Sequence, residues 1–203
     1  MAVSNSVSHS RLLRNALLAI PVAFALASCG TSAKNSTYDL SIAATTSGPA
    51  IKNRQLLIAT PTALQALNSE QIVVRVSPAE IQYLGQSQWS DKLPQMVQSK
   101  LVEAYENSGK LGGVGVPGQG LAIDYQLVTD IRAFEIEATG GSKAVVEISA
   151  KILNDRNGTV RAQKVFRQVV PAPSGSNLGY VKALDRAFSS VASQMVDWTL
   201  KTL

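Results

Sequence analysis

Tyr125-Gln126-Leu127-Val128-Thr129-Asp130-Ile131-Arg132-Ala133-Phe134-Glu135-Ile136-Glu137 and, a short link later, Val146-Glu147-Ile148-Ser149-Ala150-Lys151-Ile152 are the stretches whose reading decides the fold of this 203-residue chain. In the first, Ile123, Tyr125, Leu127, Ile131 and Ala133 share one parity, and Phe134 and Ile136 take the other. A change of face inside a strand is what a β-bulge produces. In the second, Val146, Ile148, Ala150 and Ile152 alternate against Glu147, Ser149 and Lys151, a strand with one wet face. Asp155-Arg156-Asn157-Gly158 is a hairpin turn signal leading into a third strand from Thr159 to Val170. Three successive strands with short links predict an antiparallel meander.

On the N-terminal side, shorter strands are expected at Tyr38–Ile42, Gln55–Ala59, Ile72–Val76 and Glu80–Gln88, each bounded by Pro, Gly or Ser. Leu93, Val97, Leu101 and Tyr105 recur every four residues, with Met96 and Ala104 beside them, which predicts a helix with one buried face. Ser90 or Asp91 is the expected cap, Pro94 sits in the first turn and Gly109 supplies the stop. A second stripe, Val181, Leu184, Phe188, Val191, Met195 and Trp198, runs to the C-terminus. The expected fold is therefore α+β: a mainly antiparallel sheet covered on one face by two long helices, about 91–108 and 178–203. Gly113-Val114-Gly115-Val116-Pro117-Gly118 matches a dinucleotide fingerprint in form. It follows a helix, contains a proline and precedes a strand pattern, so Leu111–Gly120 reads as a flexible connector.

Composition removes whole classes of chemistry. The chain has one His, His9, and one Cys, Cys29, both near the N-terminus. Beyond them no imidazole is available for a Ser/His/Asp or Cys/His triad, and no Cys/His set for zinc. No intrachain disulfide can form. Carboxylate catalysis would have to use Asp124, Asp130, Glu135 or Glu137, but Glu135 and Glu137 stand at i, i+2 on one strand face, the pattern of an exposed edge. No cofactor or metal site is expected.

The N-terminus reads as an export signal. His9, Arg11 and Arg14 precede an apolar run from Ala16 to Leu26, and Leu26-Ala27-Ser28-Cys29 closes it. The run is about half the length a spanning helix requires. The closing tetrapeptide resembles the lipobox of bacterial lipoproteins, which implies a signal peptide over 1–28. It also implies a diacylglyceryl thioether and further acyl (palmitate) chains on Cys29, enough to hold a protein stably at a membrane surface. Gly30, where an Asp favours inner-membrane retention, makes the outer membrane the preferred site by the same resemblance. Removal of Arg11 and Arg14 with the signal lowers the formal charge from +5 to +3. The remaining basic residues are spread along the chain, so nucleic acid is not an expected partner. Residues 29–37 form the acylated Cys and a small, polar tether reaching about 25 Å when extended, and 38–203 a single domain.

Several runs together resemble the bacterial auxiliary lipoproteins of ABC-type transport systems, the family that includes the lipoprotein partner of paraquat-inducible and other MCE-type lipid transporters. They are Ile72-Val73-Val74-Arg75, Gln88-Trp89-Ser90-Asp91-Lys92-Leu93-Pro94, Tyr125 to Phe134 and Val181-Lys182-Ala183-Leu184-Asp185. The resemblance implies a non-catalytic, periplasm-facing subunit that works with an MCE protein, an ABC permease and an ATPase to move lipid or other apolar cargo. Trp89, Asp91 and Tyr83 are the candidate partner contacts, although Trp89 can equally plug the sheet, Asp91 cap the helix, and Asp130 and Arg132 form a solvated pair. A homo-oligomer is compatible with this reading. The alternative is a carrier lipoprotein that holds the lipid itself, with Leu101, Tyr105, Phe188 and Met195 lining a cavity between helix and sheet.

Overall fold

The computed structural model describes Met1 and residues 35–42, 46–172 and 175–203; the signal, Cys29 and most of the tether lie outside them. The strands are β1 (Ser36–Tyr38), β2 (Ile51–Ile58), β3 (Thr62–Ala63), β4 (Gln71–Ser77), β5 (Glu80–Trp89), β6 (Leu111–Gly115), β7 (Tyr125–Glu137), β8 (Lys143–Asn154) and β9 (Val160–Pro171). The helices are α1 (Leu93–Ser108) and α2 (Asn177–Thr202).

The meander is present as read. β7 pairs antiparallel with β8 along its whole length, and β8 pairs antiparallel with β9. The register between β7 and β8 shifts between Ile131 and Ala133, so Arg132 is the extra residue of a bulge. That is why Ile131 and Phe134 both face the core, at 1% exposure each. Gly158, at φ 69°, takes the left-handed position of the β8–β9 turn that a residue with a Cβ rarely adopts.

The rest of the sheet corrects the expectation of a mainly antiparallel sheet under two long helices. The nine strands form a mixed sheet. Along its second edge β7 accepts β2 at Tyr125–Leu127, β3 at Asp130–Ile131 and β4 at Glu135–Glu137, all three parallel to it. β6 also lies parallel to β2, and β1 parallel to β5, so among the described strands only the β4–β5 hairpin is antiparallel beyond the meander. The reason is non-local. Residues 51–77 run as one interrupted strand in the same direction as β7, and α1 carries the chain from β5, on one side of β7, to β6 on the other side of β2.

The helices are unequal. α2, 26 residues and about 39 Å long, lies against β7, β8 and β9; α1, 16 residues and about 24 Å, packs on β2, β6 and α2. Gly109, at φ 59°, ends α1 as expected. The expected cap is absent: Lys92 holds the N-cap position without a side-chain bond, and the Asp91 carboxylate accepts the Lys92 N–H instead. The corner is held by backbone, with Leu93 N–H donating to Ser69 O, Trp89 N–H to Glu70 O and Ser90 N–H to Tyr38 O. α2 is capped by the Ser176 hydroxyl, which accepts the Gly179 N–H at 3.0 Å.

The stretch from Leu111 is not a connector at its start, because Leu111–Gly115 is a strand. A Cβ at Gly112 would overlap the Lys52 carbonyl oxygen, so the glycine permits β6 to approach β2. The first strand is short. After Tyr38 the chain leaves the sheet; Asp185 of α2 accepts the Ser41 N–H and hydroxyl, and Asp197 of α2 accepts from Thr46, Ser47 and Gly48.

The core lies between sheet and helices. Trp89 meets Phe134 edge to face at 5.7 Å, Phe134 continues to Phe188 at 5.9 Å, and Phe166 meets Trp198 at 5.5 Å.

Candidate docking face

The face of the sheet away from the helices is built from the polar parity of the same strands. In β7 and β8 the residues Phe134, Ile136, Ile148, Ala150 and Ile152 turn to the helices, so Glu135, Glu137, Glu147, Ser149 and Lys151 turn the other way. The cross-strand partners add Arg167 and Val165 from β9, and Arg75, Ile81 and Tyr83 from β4 and β5. Parallel strands ordinarily have both faces covered. Here, among the described residues, one face carries no helix.

Charged pairs order this face. The Arg75 guanidinium grips Glu135 with Nε at 2.5 Å from one oxygen and Nη2 at 2.9 Å from the other. Glu135 is 7% exposed, so its charge has this partner in place of water. The hydrogen bond to Glu135 holds the guanidinium above its usual range, against the desolvation that lowers it, with the Glu135 and Glu137 charges adding to the rise. Glu147 lies between Arg167, at 3.2 Å, and Arg132, at 4.0 Å; Arg132 also approaches Asp130 at 3.6 Å, and Lys143 approaches Glu137 at 3.3 Å. Two grooves result. One, about 360 Å³, runs between Arg75, Glu135, Glu147 and Arg167. The other, about 260 Å³, is bounded by Thr62, Asp130, Arg132 and Lys151. Exposed apolar groups interrupt the charges: Tyr83 and Ile81 at one side, Val165 and Val169 at the other.

Of the three candidate partner contacts, Trp89, Asp91 and Tyr83, the structure brings only Tyr83 to this face, 42% exposed. Trp89 is 1% exposed and lies in the core against Phe134, so it offers a partner no surface; it plugs the sheet. Asp91 is exposed at the entrance to α1, beside Asp39, Ser90 and Lys100. Cys29 lies outside the described residues. The four carboxylates considered for catalysis each stand beside a basic group: Asp124 by Arg54 and Arg156, Asp130 by Arg132, Glu135 by Arg75, Glu137 by Lys143. Arg75, Glu147 and Arg167 were not singled out as a group. Their meeting depends on which strands pair, and no motif marks it.

Between the helices, Leu101, Tyr105, Phe188 and Met195 are all at 0% exposure. The Tyr105 hydroxyl bonds to the Met195 carbonyl at 3.2 Å and to the Thr199 hydroxyl at 2.7 Å, and burial pushes its phenol above the usual range.

The described residues form a helix-backed mixed sheet with one face open and ion-paired. The chain belongs to the family of ABC-type transport auxiliary lipoprotein components, whose model matches residues 38–196. It is similar to the crystal structure of the Xanthomonas campestris protein XCC0632, with 30% identity and a TM-score of 0.77 over 82% of this chain and 95% of that one. A second crystal structure, of an uncharacterised protein, shares the fold at 17% identity and a TM-score of 0.65, over 82% of this chain and 99% of the other. The uncharacterised protein bll6063 of Bradyrhizobium diazoefficiens is 30% identical over 176 residues, 84% of this chain. This chain spans 46% of that relative's length.

Proposed function

We propose that the chain is a non-catalytic, lipid-anchored subunit of an MCE-type envelope transport system, facing the periplasm and docking its ABC permease and MCE protein to the outer membrane for transport of lipid or other apolar cargo. The observation that carries this reading is the family match beginning at residue 38, nine residues after a lipobox-like Cys29. Acylation of Cys29 confines the domain to a layer at the membrane, and the raised local concentration lets a modest interface suffice. The open sheet face is the docking surface. Its bidentate Arg75–Glu135 pair gives it rigidity, and the exposed Tyr83 and Ile81 give it an apolar anchor. Carriage of lipid by the domain itself is less favoured, because the four side chains it needs to part are fully buried.

The test is in-cell crosslinking, affinity recovery of the tagged protein and mass spectrometry of what accompanies it. An MCE protein and its permease are expected, and Tyr83→Ser should reduce their recovery without changing the far-UV spectrum. Cys29→Ala should leave a folded domain that separates from the membrane fraction and no longer supports transport. Recovery of neither partner with the acylated protein intact would sink the reading.

A further inference from the structure

Three arginines meet at the end of the sheet where β7 begins: Arg54 of β2 and, about a hundred residues further along the chain, Arg156 of the β8–β9 turn and Arg161 of β9. The Arg54 and Arg161 guanidinium carbons stand 5.8 and 6.0 Å from the centre of the Tyr125 ring. Arg54 and Arg156 approach the same oxygen of Asp124, at 4.0 and 3.6 Å. Both separations are too long for a hydrogen bond, so Asp124 offsets charge without occupying the guanidinium donors. Its other oxygen is taken by the Gln55 N–H at 3.0 Å. Asp155, the second carboxylate in the neighbourhood, accepts from the Gln126 amide at 2.5 Å. Arg161 is held by its Nε, which donates to the Thr202 carbonyl at 2.8 Å.

A cavity of about 110 Å³ opens between Arg54, Asp124, Tyr125, Asn154 and Arg156. Asn154 accepts the Arg156 N–H through its side-chain oxygen, which leaves its amide NH2 as a donor. The turn carrying Arg156 is braced by Asp155 N–H to Asp124 O, by Gly158 N–H to Asn154 O, and by Asn157, which accepts from Thr159. Arg156 therefore projects from a rigid support, and its side chain is 80% exposed. Converging guanidiniums with free donors, on fixed elements, match the oxygens of a tetrahedral anion two at a time.

We propose that this cavity binds a phosphate group, either free or as the phosphodiester of a lipid headgroup, with Arg54 and Arg156 as the bidentate partners and Arg161 supplying long-range charge. Asp124 lines the same wall and opposes the anion, so it sets the affinity. The site lies apart from the docking face and stands or falls independently of the partners proposed above.

The test uses the full chain in non-ionic detergent at constant ionic strength, titrated calorimetrically with inorganic phosphate and, separately, with glycerophosphoglycerol. Saturable binding is expected that sodium chloride does not reproduce. Arg54→Gln and Arg156→Gln should each weaken it by about tenfold or more, the order expected for a lost charge-assisted hydrogen-bonded pair. Asp124→Asn should tighten it, and Lys182→Gln, an exposed α2 residue, should leave it unchanged. Tighter binding of the diester assigns the site to lipid headgroups, and tighter binding of inorganic phosphate assigns it to the free anion. Failure to saturate, or Arg156→Gln binding like Lys182→Gln while both retain the far-UV spectrum, overturns the proposal.

Discussion

Asp197 shows how one side chain ties the segment after β1 to the fold. It accepts from the Thr46 hydroxyl at 2.5 Å and from the Ser47 and Gly48 N–H groups at 2.9 and 3.2 Å. The Thr46 bond chiefly, with those of Ser47 and Gly48, holds its carboxyl below the ordinary range against the desolvation that raises it. A carboxyl whose folded pKa is depressed adds stability above its unfolded value of about 4 and loses it as pH falls through the folded value. Asp197→Asn should therefore lower the melting temperature at pH 7 and flatten its decline toward pH 3, read by thermal melts across that range. An equally steep acid decline in the variant would remove Asp197 from this role. Trp89 makes the complementary point. Its place before a helix suggested a contact residue, and the ring is buried against Phe134. Trp89→Ala should cost about 3–5 kcal/mol in urea unfolding, the usual loss for a large buried aromatic.

At the scale of elements, alternation in β7 and β8 was readable because each strand has one wet and one dry face, and the bulge at Arg132 was readable because it changes which face is dry. The parallel strands were not readable in the same way. Alternation reports burial of a strand and says nothing of the direction of its neighbour, so β2, β3 and β4 gave no sign that they lie parallel along β7. β6 was hidden more deeply: a glycine-rich strand has too few side chains to alternate. Its glycines have a steric purpose, since a Cβ at Gly112 meets the Lys52 backbone oxygen, which cannot move aside as a side chain can. Gly112→Ala should part β6 from β2 and raise amide exchange in Ile51–Ile58 and Leu111–Gly115, while β8 and β9 keep their protection. Unchanged exchange in β6 would show that the two strands can separate slightly at no cost.

For the whole molecule, one connected core runs from Leu40 and Trp89 through the sheet to α1 and α2. The described domain should unfold as one unit. Trp89 and Trp198 lie in different aromatic contacts, one with Phe134 and the other with Phe166, so tryptophan fluorescence samples separate parts of that core. Fluorescence and far-UV circular dichroism should give coincident denaturant midpoints; an earlier fluorescence transition would mean that the core divides.

The meander, both helical stripes, the glycine stop of α1, the lipobox-like Cys29 and membership of a transport-auxiliary family are legible in the residues alone. Each is carried by residues close together in the chain, whose periodicity or order is a local property. The mixed sheet, the burial of Trp89 and the open charged face emerge only when the strands pair and the helices pack. The tertiary structure alone gathered Arg54 and Arg156 beside Asp124 and Arg161 beside Tyr125, because strand pairing joins positions about a hundred residues apart and leaves no trace in the spacing of the arginines along the chain.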